Sequence, residues 1–187
     1  MNDLEIRTLL HCDLIKLRLS DPSTLIIDEL GIFEGSFRID VAVVNGSLHG
    51  FEIKSAGDNL DRLPSQQAAY NKVFDRLTLV ADEHHVTQAM KILPPWWGLT
   101  VAGMRNGVPY VEELWQPRMN NAVDPYALCQ LLWRDEALKI LARKKMSAGL
   151  WSKSRKVMWR KLAKELELEE LKLLVRETLK NRSGWRK

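Results

Sequence analysis

The chain has 187 residues, of which 45% are apolar and 28% are charged, so it can bury the core of one ordinary domain, with or without a helical appendage, and it is not a disordered tail. Its two cysteines, Cys12 and Cys129, exclude a disulfide scaffold and a cysteine-rich zinc site, and they fit a reducing cytoplasm. The net charge of +4 is unevenly distributed, since residues 134–187 hold 17 Lys and Arg against 7 Asp and Glu, whereas residues 1–133 hold 11 against 17. An acidic body with a basic C-terminal third predicts a polyanionic partner and leaves room for a cation in the body.

Neither a membrane span nor an export signal is expected. The longest stretch without a charged residue runs from Ile92 to Met104, well short of the roughly 20 residues that cross a bilayer. Asp3, Glu5 and Arg7 stand where a signal peptide would need an apolar run. We therefore expect a cytoplasmic protein that does not associate with membranes.

The first part of the chain alternates between helical and strand patterns. Leucines near helical spacing predict an amphipathic helix over residues 3–18. Asn45-Gly46 is a strong hairpin signal, and Pro64 can open a helix that runs to about Arg76. The predicted strands are Thr24–Leu30, Phe37–Val44, Leu48–Lys54 and Leu77–Ala81.

The second part predicts a short helix over Val86–Leu93, a hairpin of Leu99–Met104 with Val108–Trp115, and then helices alone. Asp124 can cap a helix that Pro125 opens and that runs to about Lys145. Apolar spacing predicts two more helices over residues 153–165 and 167–181.

This order predicts an α/β fold with an α-β-β-β-α-β core, a mixed sheet flanked by helices, and a C-terminal helical extension. The right-handed crossover rule places the fourth strand parallel to an earlier one. We expect residues 1–116 to form the core and residues 117–187 to form a basic helical extension that packs on it.

Three charged residues of the central hairpin are the most informative feature. Glu52 and Lys54 point to one face, because residues two apart in a strand share a side. A two-residue Asn45-Gly46 loop would place Asp40 on the opposite face, whereas a three-residue loop such as Val44-Asn45-Gly46 would bring it to the same face. We expect the three-residue loop, because a one-residue slip would mix charge into the apolar face. That face would hold Ile39, Val41, Val43, Phe51 and Ile53.

Two carboxylates on adjacent strands repel each other unless a cation lies between them. Their hard oxygen atoms suit Mg²⁺ or Mn²⁺, and the backbone carbonyl of Ile53 can add a ligand. Lys54 can orient a water molecule or help to deprotonate it. Because a divalent cation stabilises charge on a phosphoryl oxygen, this combination suits hydrolysis of a phosphodiester.

The spacing of Asp40, eleven residues, then Glu52-x-Lys54 resembles the motif of the PD-(D/E)XK nuclease superfamily, whose restriction-endonuclease-like core has the element order given above. Gln66 and Tyr70 resemble the Q-x-x-x-Y motif of RecB-type members, and residues four apart share a helix face. The residue before the aspartate is Ile39 where the superfamily usually has proline, a common departure. The similarity covers roughly residues 1–105. The stretch from Glu29 to Gly98, which includes Gly50–Ser55 and Pro95–Gly98, resembles a small bacterial branch of the superfamily.

The resemblance implies a metal site of Asp40, Glu52 and the Ile53 carbonyl, with Lys54 positioning the attacking water. Gln66 and Tyr70 would face the metal or a phosphate. Superfamily members often carry another upstream acid, for which Glu29 is the best positional candidate, followed by Glu34 and Asp28.

Basic residues beyond the motif are candidates for nucleic-acid contact. Arg38 can contact the substrate backbone or pair with a nearby carboxylate. A cluster of basic residues around Trp151 and Trp159 predicts salt-dependent binding of phosphates, although a solvated face of a helical cap is the alternative reading. Trp159 has core spacing and is expected to be buried, and His49, His84 and His85 are interpreted as structural or surface residues. The cluster comprises Lys153, Arg155, Lys156, Arg160 and Lys161.

The sequence thus predicts a cytoplasmic, Mg²⁺-dependent nuclease that hydrolyses phosphodiester bonds, with DNA favoured over RNA. One alternative is a catalytically inactive binding module for nucleic acid or a partner protein, and another is a structure-specific, resolvase-like homodimer. Endonuclease or exonuclease action is left open, and repair, mobile-element biology and phage defence all use this chemistry.

Overall fold

The computed structural model describes residues 1–183. The strands are β1 Leu25–Ile32, β2 Phe37–Val44, β3 Leu48–Lys54, β4 Arg76–Asp82, β5 Gly98–Arg105 and β6 Val108–Trp115. The helices are α1 Asp3–Ser20, α2 Leu63–Tyr70, α3 Glu83–Ile92, α4 Pro125–Cys129, α5 Arg134–Arg143, α6 Arg155–Glu165 and α7 Leu168–Asn181, with one 3-10 turn at Phe33–Gly35.

All six strands form one mixed sheet in the order β1-β2-β3-β4-β5-β6. β1, β2 and β3 are antiparallel neighbours, β4 and β5 continue parallel to β3, and β6 returns antiparallel to β5. The α/β class, the mixed sheet flanked by helices and the C-terminal helical part are therefore as predicted, and so is the parallel fourth strand. Within residues 1–183 no helix combines the length and the apolar character that a membrane span requires.

Each face of the sheet is covered by its own set of apolar side chains. On one face, Ile6, Leu10 and Leu14 of α1 pack with Val41, Val43, Ile53 and Val80. On the other face, side chains of α2 and the C-terminal helices join the sheet in a larger core that includes Phe74, Leu77, Trp97, Leu128 and Trp159. The predicted boundary near residue 116 thus separates two parts that bury one shared core.

Two helix predictions are wrong in extent. The helix opened by Pro64 ends at Tyr70 rather than near Arg76, because Arg76 begins β4 and pairs with His49 on β3. The helix predicted from Pro125 to Lys145 is two helices, with α4 ending at Cys129 and α5 beginning at Arg134. α5 begins with an N-terminal capping contact, in which the Trp133 amide donates a hydrogen bond of 2.7 Å to the carboxylate of Glu136.

The central hairpin has a three-residue loop, as expected, but a different one. Val44 pairs with Leu48, so the loop is Asn45–Ser47 rather than Val44–Gly46. The Ser47 amide donates to the side chain of Asn45 across this loop. The observed and predicted registers of β2 and β3 differ by an even number of residues. The Asp40 side chain therefore lies on the side of the sheet that was predicted.

The predicted apolar face is correct for Val41, Val43, Phe51 and Ile53, but wrong for Ile39, which lies in the larger core. The alternation breaks in β1, where Ile27 and Leu30 face the same core although they are three residues apart. Glu29 between them has a φ of 57°, and Ile39 pairs with Leu30.

Gly50 accommodates this change of side. A Cβ at Gly50 on β3 would lie 2.3 Å from the Cδ1 atom of Ile39, far closer than van der Waals contact. Glycine therefore leaves room for the Ile39 side chain in the larger core, where Leu77 and Phe74 also lie close to this position.

Candidate active site

A polar cleft of about 680 Å³ lies where β2 and β3 separate, between the 3-10 turn and α2. It brings together the residues that the sequence singled out from both strands, from β1 and from α2. They are Glu29, Arg38, Asp40, Glu52, Ile53, Lys54, Gln66 and Tyr70. Asp3, Asp58 and Arg62 also line the cleft and were not predicted.

Asp40 lies at the point where the β2–β3 ladder opens. The last backbone pair is Val41 with Phe51, so the same register places Asp40 opposite Glu52. The Ile53 amide donates a hydrogen bond of 2.7 Å to Oδ2 of Asp40, so a carboxylate replaces the strand carbonyl that would otherwise accept it. The amide and carbonyl of a strand residue point to the same side, which turns the Ile53 carbonyl toward this gap.

The carboxyl group of Asp40 is held in a poorly solvated and acidic environment. Burial raises its pKa to about 7, and the nearby charge of Glu52 acts in the same direction. The hydrogen bond from the Ile53 amide and the positive charge of Arg7 oppose this shift. A cation in the cleft would relieve the repulsion between the two acidic side chains.

Glu52 is only 2% exposed, and three side chains surround its carboxylate. Lys54 Nζ donates to Oε1 over 2.8 Å, and Gln66 Nε2 donates to the same oxygen. The Tyr70 hydroxyl lies 2.9 Å from Oε2 of Glu52 and 2.7 Å from the Arg38 carbonyl. Burial raises the pKa of Tyr70, so it stays protonated. The Q-x-x-x-Y pair therefore fixes the orientation of Glu52.

The upstream acidic candidates have different surroundings. Glu29 lines the cleft and pairs with Arg38 Nε at 2.6 Å, so Arg38 takes the carboxylate partner that was one of its two predicted roles. Asp28 contacts His11 and Arg7 but does not line the cleft, and Glu34 contacts α6 outside the cleft. Glu29 remains the positional candidate of the three.

Arg7 of α1 was missed by the sequence reasoning. Its guanidinium lies 3.0 Å from Glu29 Oε1 and 3.5 Å from Asp40 Oδ1, and it donates to the backbone carbonyl of Asp40. It also contacts Asp3, four residues earlier on the same helix. The four-residue spacing of Asp3 and Arg7 predicts an ion pair on one face of the helix. It does not indicate which strands that face covers.

The predicted basic cluster does not line the cleft. None of its five members, all in the described part of the chain, lines the cleft, and Arg155 and Lys156 pair with Glu34. Trp159 is buried, as expected. Of the histidines discussed above, His49 contacts Thr78, His84 contacts Asp82, and His85 contacts the backbone carbonyl of Ser55. These contacts fit the interpretation of the three as structural or surface residues.

The donor set of the cleft fits a hard divalent cation with few protein ligands. Within residues 1–183 no three His, Cys, Asp or Glu side chains form a metal-binding group. The cleft instead offers the carboxylates of Asp40 and Glu52 and the Ile53 carbonyl. It also holds the buried Oε1 of Gln66, for which the described residues supply no hydrogen-bond partner. Mg²⁺ commonly binds through one or two carboxylates and keeps several water ligands.

Comparison with known proteins gives a family match over nearly the whole sequence. Residues 4–186 match the family described as Bacteriophage P4 protein cII. Protein cII of Enterobacteria phage P4 is 26% identical over 157 residues, which cover 84% of this chain and 59% of that relative. The chain thus spans about three fifths of the length of this relative.

Among solved structures, the SPO1766 protein of unknown function from Silicibacter pomeroyi is similar with a TM-score of 0.41 and 18% identity. The match covers 71% of this chain and 88% of that one. Because the sequence match extends over far more than half of the residues, the chain belongs to the Bacteriophage P4 protein cII family.

Proposed function

We propose that the protein is a Mg²⁺- or Mn²⁺-dependent nuclease of the PD-(D/E)XK type that hydrolyses phosphodiester bonds, with DNA as the favoured substrate. The observation that carries the proposal is the convergence of Asp40, Glu52 and Lys54 in one cleft, with Gln66 and Tyr70 holding Glu52. Side chains from three elements meet there, which a solvated hairpin face does not require.

The element order supports the finer fold assignment. An antiparallel β1-β2-β3 meander follows α1, and β4 returns parallel to β3 after α2. This is the order expected of a restriction-endonuclease-like core, and the proposed catalytic strands are its second and third.

In this proposal Asp40, Glu52 and the Ile53 carbonyl would hold the divalent cation, which would supply electrophilic stabilisation of charge on the phosphoryl oxygen. Lys54 lies beside Glu52 and positions the attacking water at the same face of the sheet. Gln66 and Tyr70 keep the Glu52 carboxylate oriented toward the cleft. Arg38 lies at the rim of the cleft, and it contacts the substrate backbone when its ion pair with Glu29 opens.

The proposed substrate is longer than the cleft, so the basic residues near and on α6 are assigned to its flanking phosphates. Lys153, Arg155, Lys156 and Arg160 are exposed and Lys161 is half-buried. Their contribution would be independent of sequence and sensitive to salt.

The test is cleavage of linear, circular and single-stranded DNA with Mg²⁺ or Mn²⁺, comparing the wild type with Asp40→Asn and Lys54→Met. We expect each variant to lose at least about 100-fold in rate, because each removes a group from the reacting centre. Asp61→Asn and Lys91→Met remove the same charges at exposed positions outside the cleft and should cleave like the wild type. Cleavage that persists in both site variants, or its absence from the wild type, would overturn the proposal.

A nucleic-acid-binding module without turnover is the second candidate. It is favoured by the surroundings of Glu52, since both carboxylate oxygens already accept hydrogen bonds. Binding of Mn²⁺ and of DNA should be measured with Glu52→Gln. A wild type that binds DNA, but neither binds Mn²⁺ nor cleaves, would select this candidate over the nuclease.

A further inference from the structure

The turn between β1 and β2 holds an acidic side chain in an uncommon backbone conformation. Phe33 and Glu34 are consecutive non-glycine residues with φ values of 50° and 58°. Left-handed conformations of such residues cost free energy and persist where surrounding contacts hold them. Gly31 and Gly35, on either side, line the polar cleft, so this turn forms part of the cleft rim.

The contacts of Glu34 are with the first two residues of α6, 121 residues further along the chain. Arg155 Nη2 lies 2.5 Å from one carboxylate oxygen and Lys156 Nζ lies 3.0 Å from the other. The guanidinium of Arg155 also lies over the ring of the buried Trp159, 5.2 Å from its centroid. Arg155 is therefore held by both Trp159 and Glu34, and Glu34 is the anion between the two cations.

This pair of cations is adjacent to the proposed catalytic cleft. A groove of about 790 Å³ lies beside the cleft, and its lining includes Glu34 and Arg155. Glu29, Gly31 and Gly35 line both the groove and the cleft. A nucleic-acid strand that leaves the cleft on the β1 side would thus reach Arg155, and Lys156 is the next residue of α6.

A carboxylate and a phosphate place similar demands on their partners. Both are oxyanions that arginine and lysine bind through charge-assisted hydrogen bonds. The hydrogen bonds from Lys156 and Arg155 lower the pKa of Glu34, so it remains an anion at neutral pH. Glu34 thus takes the place that a backbone phosphate would need.

We propose that Arg155 and Lys156 form a subsite for a backbone phosphate of the nucleic acid, and that Glu34 occupies this subsite as an internal competitor until the strand displaces it. The inference rests on the proposed function, since it deepens how that site engages its substrate. Nucleic acid is favoured over an acidic peptide because the subsite continues directly from the proposed catalytic cleft.

Displacement of Glu34 has a measurable consequence for the salt dependence of binding. In the wild type the two cations are already neutralised by Glu34, so a phosphate that replaces it releases fewer counterions. Without the Glu34 charge, the logarithm of the affinity should fall more steeply with the logarithm of salt concentration, by about 0.7 to 0.9 for each added phosphate contact.

The experiment uses the full chain, a fluorescein-labelled 20-nucleotide single strand and its duplex, and fluorescence anisotropy in EDTA over a salt series. Glu34→Gln keeps the size of the side chain and removes its charge. Glu113→Gln is the matched control, because it removes one exposed carboxylate on β6, at the opposite edge of the sheet. We expect Glu34→Gln to lower Kd by about 3- to 10-fold at low salt, with a steeper salt slope than Glu113→Gln.

The same substitution is then made in a chain that already carries Arg155→Gln and Lys156→Gln, where its effect should disappear. A gain no larger than that of Glu113→Gln, a gain that persists without the two cations, or no binding of either probe would each overturn the inference. Because EDTA prevents cleavage, the outcome is independent of the catalytic test with Asp40 and Lys54. An inactive protein whose Glu34→Gln form binds DNA more tightly would retain the subsite and lose the nuclease proposal.

Discussion

Asp40 and Glu52 lie opposite each other just beyond Val41 and Phe51, the last backbone pair of β2 and β3. Keeping two carboxylates in one poorly solvated cleft opposes folding unless a cation neutralises them. Arg7 supplies part of this neutralisation from α1, since it contacts Asp40 and Glu29. The residues proposed to hold the metal therefore reduce the stability of the metal-free protein.

This cost predicts that Asp40→Asn stabilises the protein when divalent cations are absent. The asparagine oxygen can still accept the hydrogen bond from the Ile53 amide, while the repulsion with Glu52 is removed. We expect the free energy of unfolding in urea with EDTA to rise by about 1 kcal/mol.

Addition of Mn²⁺ at 100 times its Kd should stabilise the wild type by about 2.7 kcal/mol and leave the variant nearly unchanged. A less stable variant in EDTA, or an equal response of both proteins to Mn²⁺, would contradict this account of the cleft.

At the scale of elements, the hairpin was predictable because its signals are local. Asn45-Gly46 marked the turn, and the need to keep one strand face apolar selected the odd loop length that brings Asp40 to the side of Glu52. The exchange of side at Ile39 was not predictable, since it depends on the left-handed backbone of Glu29 in the neighbouring strand. A glycine would have indicated a left-handed backbone, whereas the glutamate at position 29 gives no such local signal.

Other features required contacts between distant segments. Arg7 reaches the carbonyl of Asp40, 33 residues away, and helix periodicity could not show which strands α1 would cover. The break between α4 and α5 was also missed, although the Trp133–Glu136 hydrogen bond marks the beginning of α5. Sequence therefore indicated the motif residues of the cleft, whereas the fold added their cationic neighbour.

A buried ion pair joins α7 to the segment between α2 and β4. Asp75, between α2 and β4, is 3.2 Å from Lys172 and 3.4 Å from Arg176, and it accepts a hydrogen bond from the Leu48 amide. The side chains of Asp75 and Lys172 are 3% and 6% exposed. Loss of the acid would leave a buried cation and a buried amide without this partner.

We therefore expect Asp75→Leu to destabilise the protein by about 3 kcal/mol or more. Lys172→Met should cost less, about 1 kcal/mol, because Asp75 keeps Arg176 and the Leu48 amide while the methionine preserves the apolar stem. Urea unfolding of the two variants measures both values. Equal costs, or a greater cost for Lys172→Met, would show that the acid is not the centre of this cluster.

At the scale of the whole molecule, the basic C-terminal third is partly neutralised by acids from elsewhere in the fold. Arg155 and Lys156 meet Glu34, and Lys172 and Arg176 meet Asp75. Lys172 and Arg176 are thus taken up by ion pairs inside the fold, whereas the cations near and on α6 remain exposed. This division is why the uneven charge of the sequence predicts a polyanionic partner but does not predict its binding surface.

The shared core predicts that the C-terminal helices are required for folding of the sheet. Side chains of α4 to α7, among them Leu128, Leu141, Trp159 and Leu162, are buried in the same core as Phe74 and Leu77. Each such side chain contributes about 1.5 to 3 kcal/mol by its burial, so the free energy lost with all of them exceeds the 5 to 15 kcal/mol by which a typical domain is stable.

We expect a chain of residues 1–116 to be unfolded or aggregated. We expect the full chain to unfold in one transition that is the same by circular dichroism and by tryptophan fluorescence. A soluble 1–116 fragment with dispersed amide resonances, or two separate transitions in the full chain, would instead establish two independent domains.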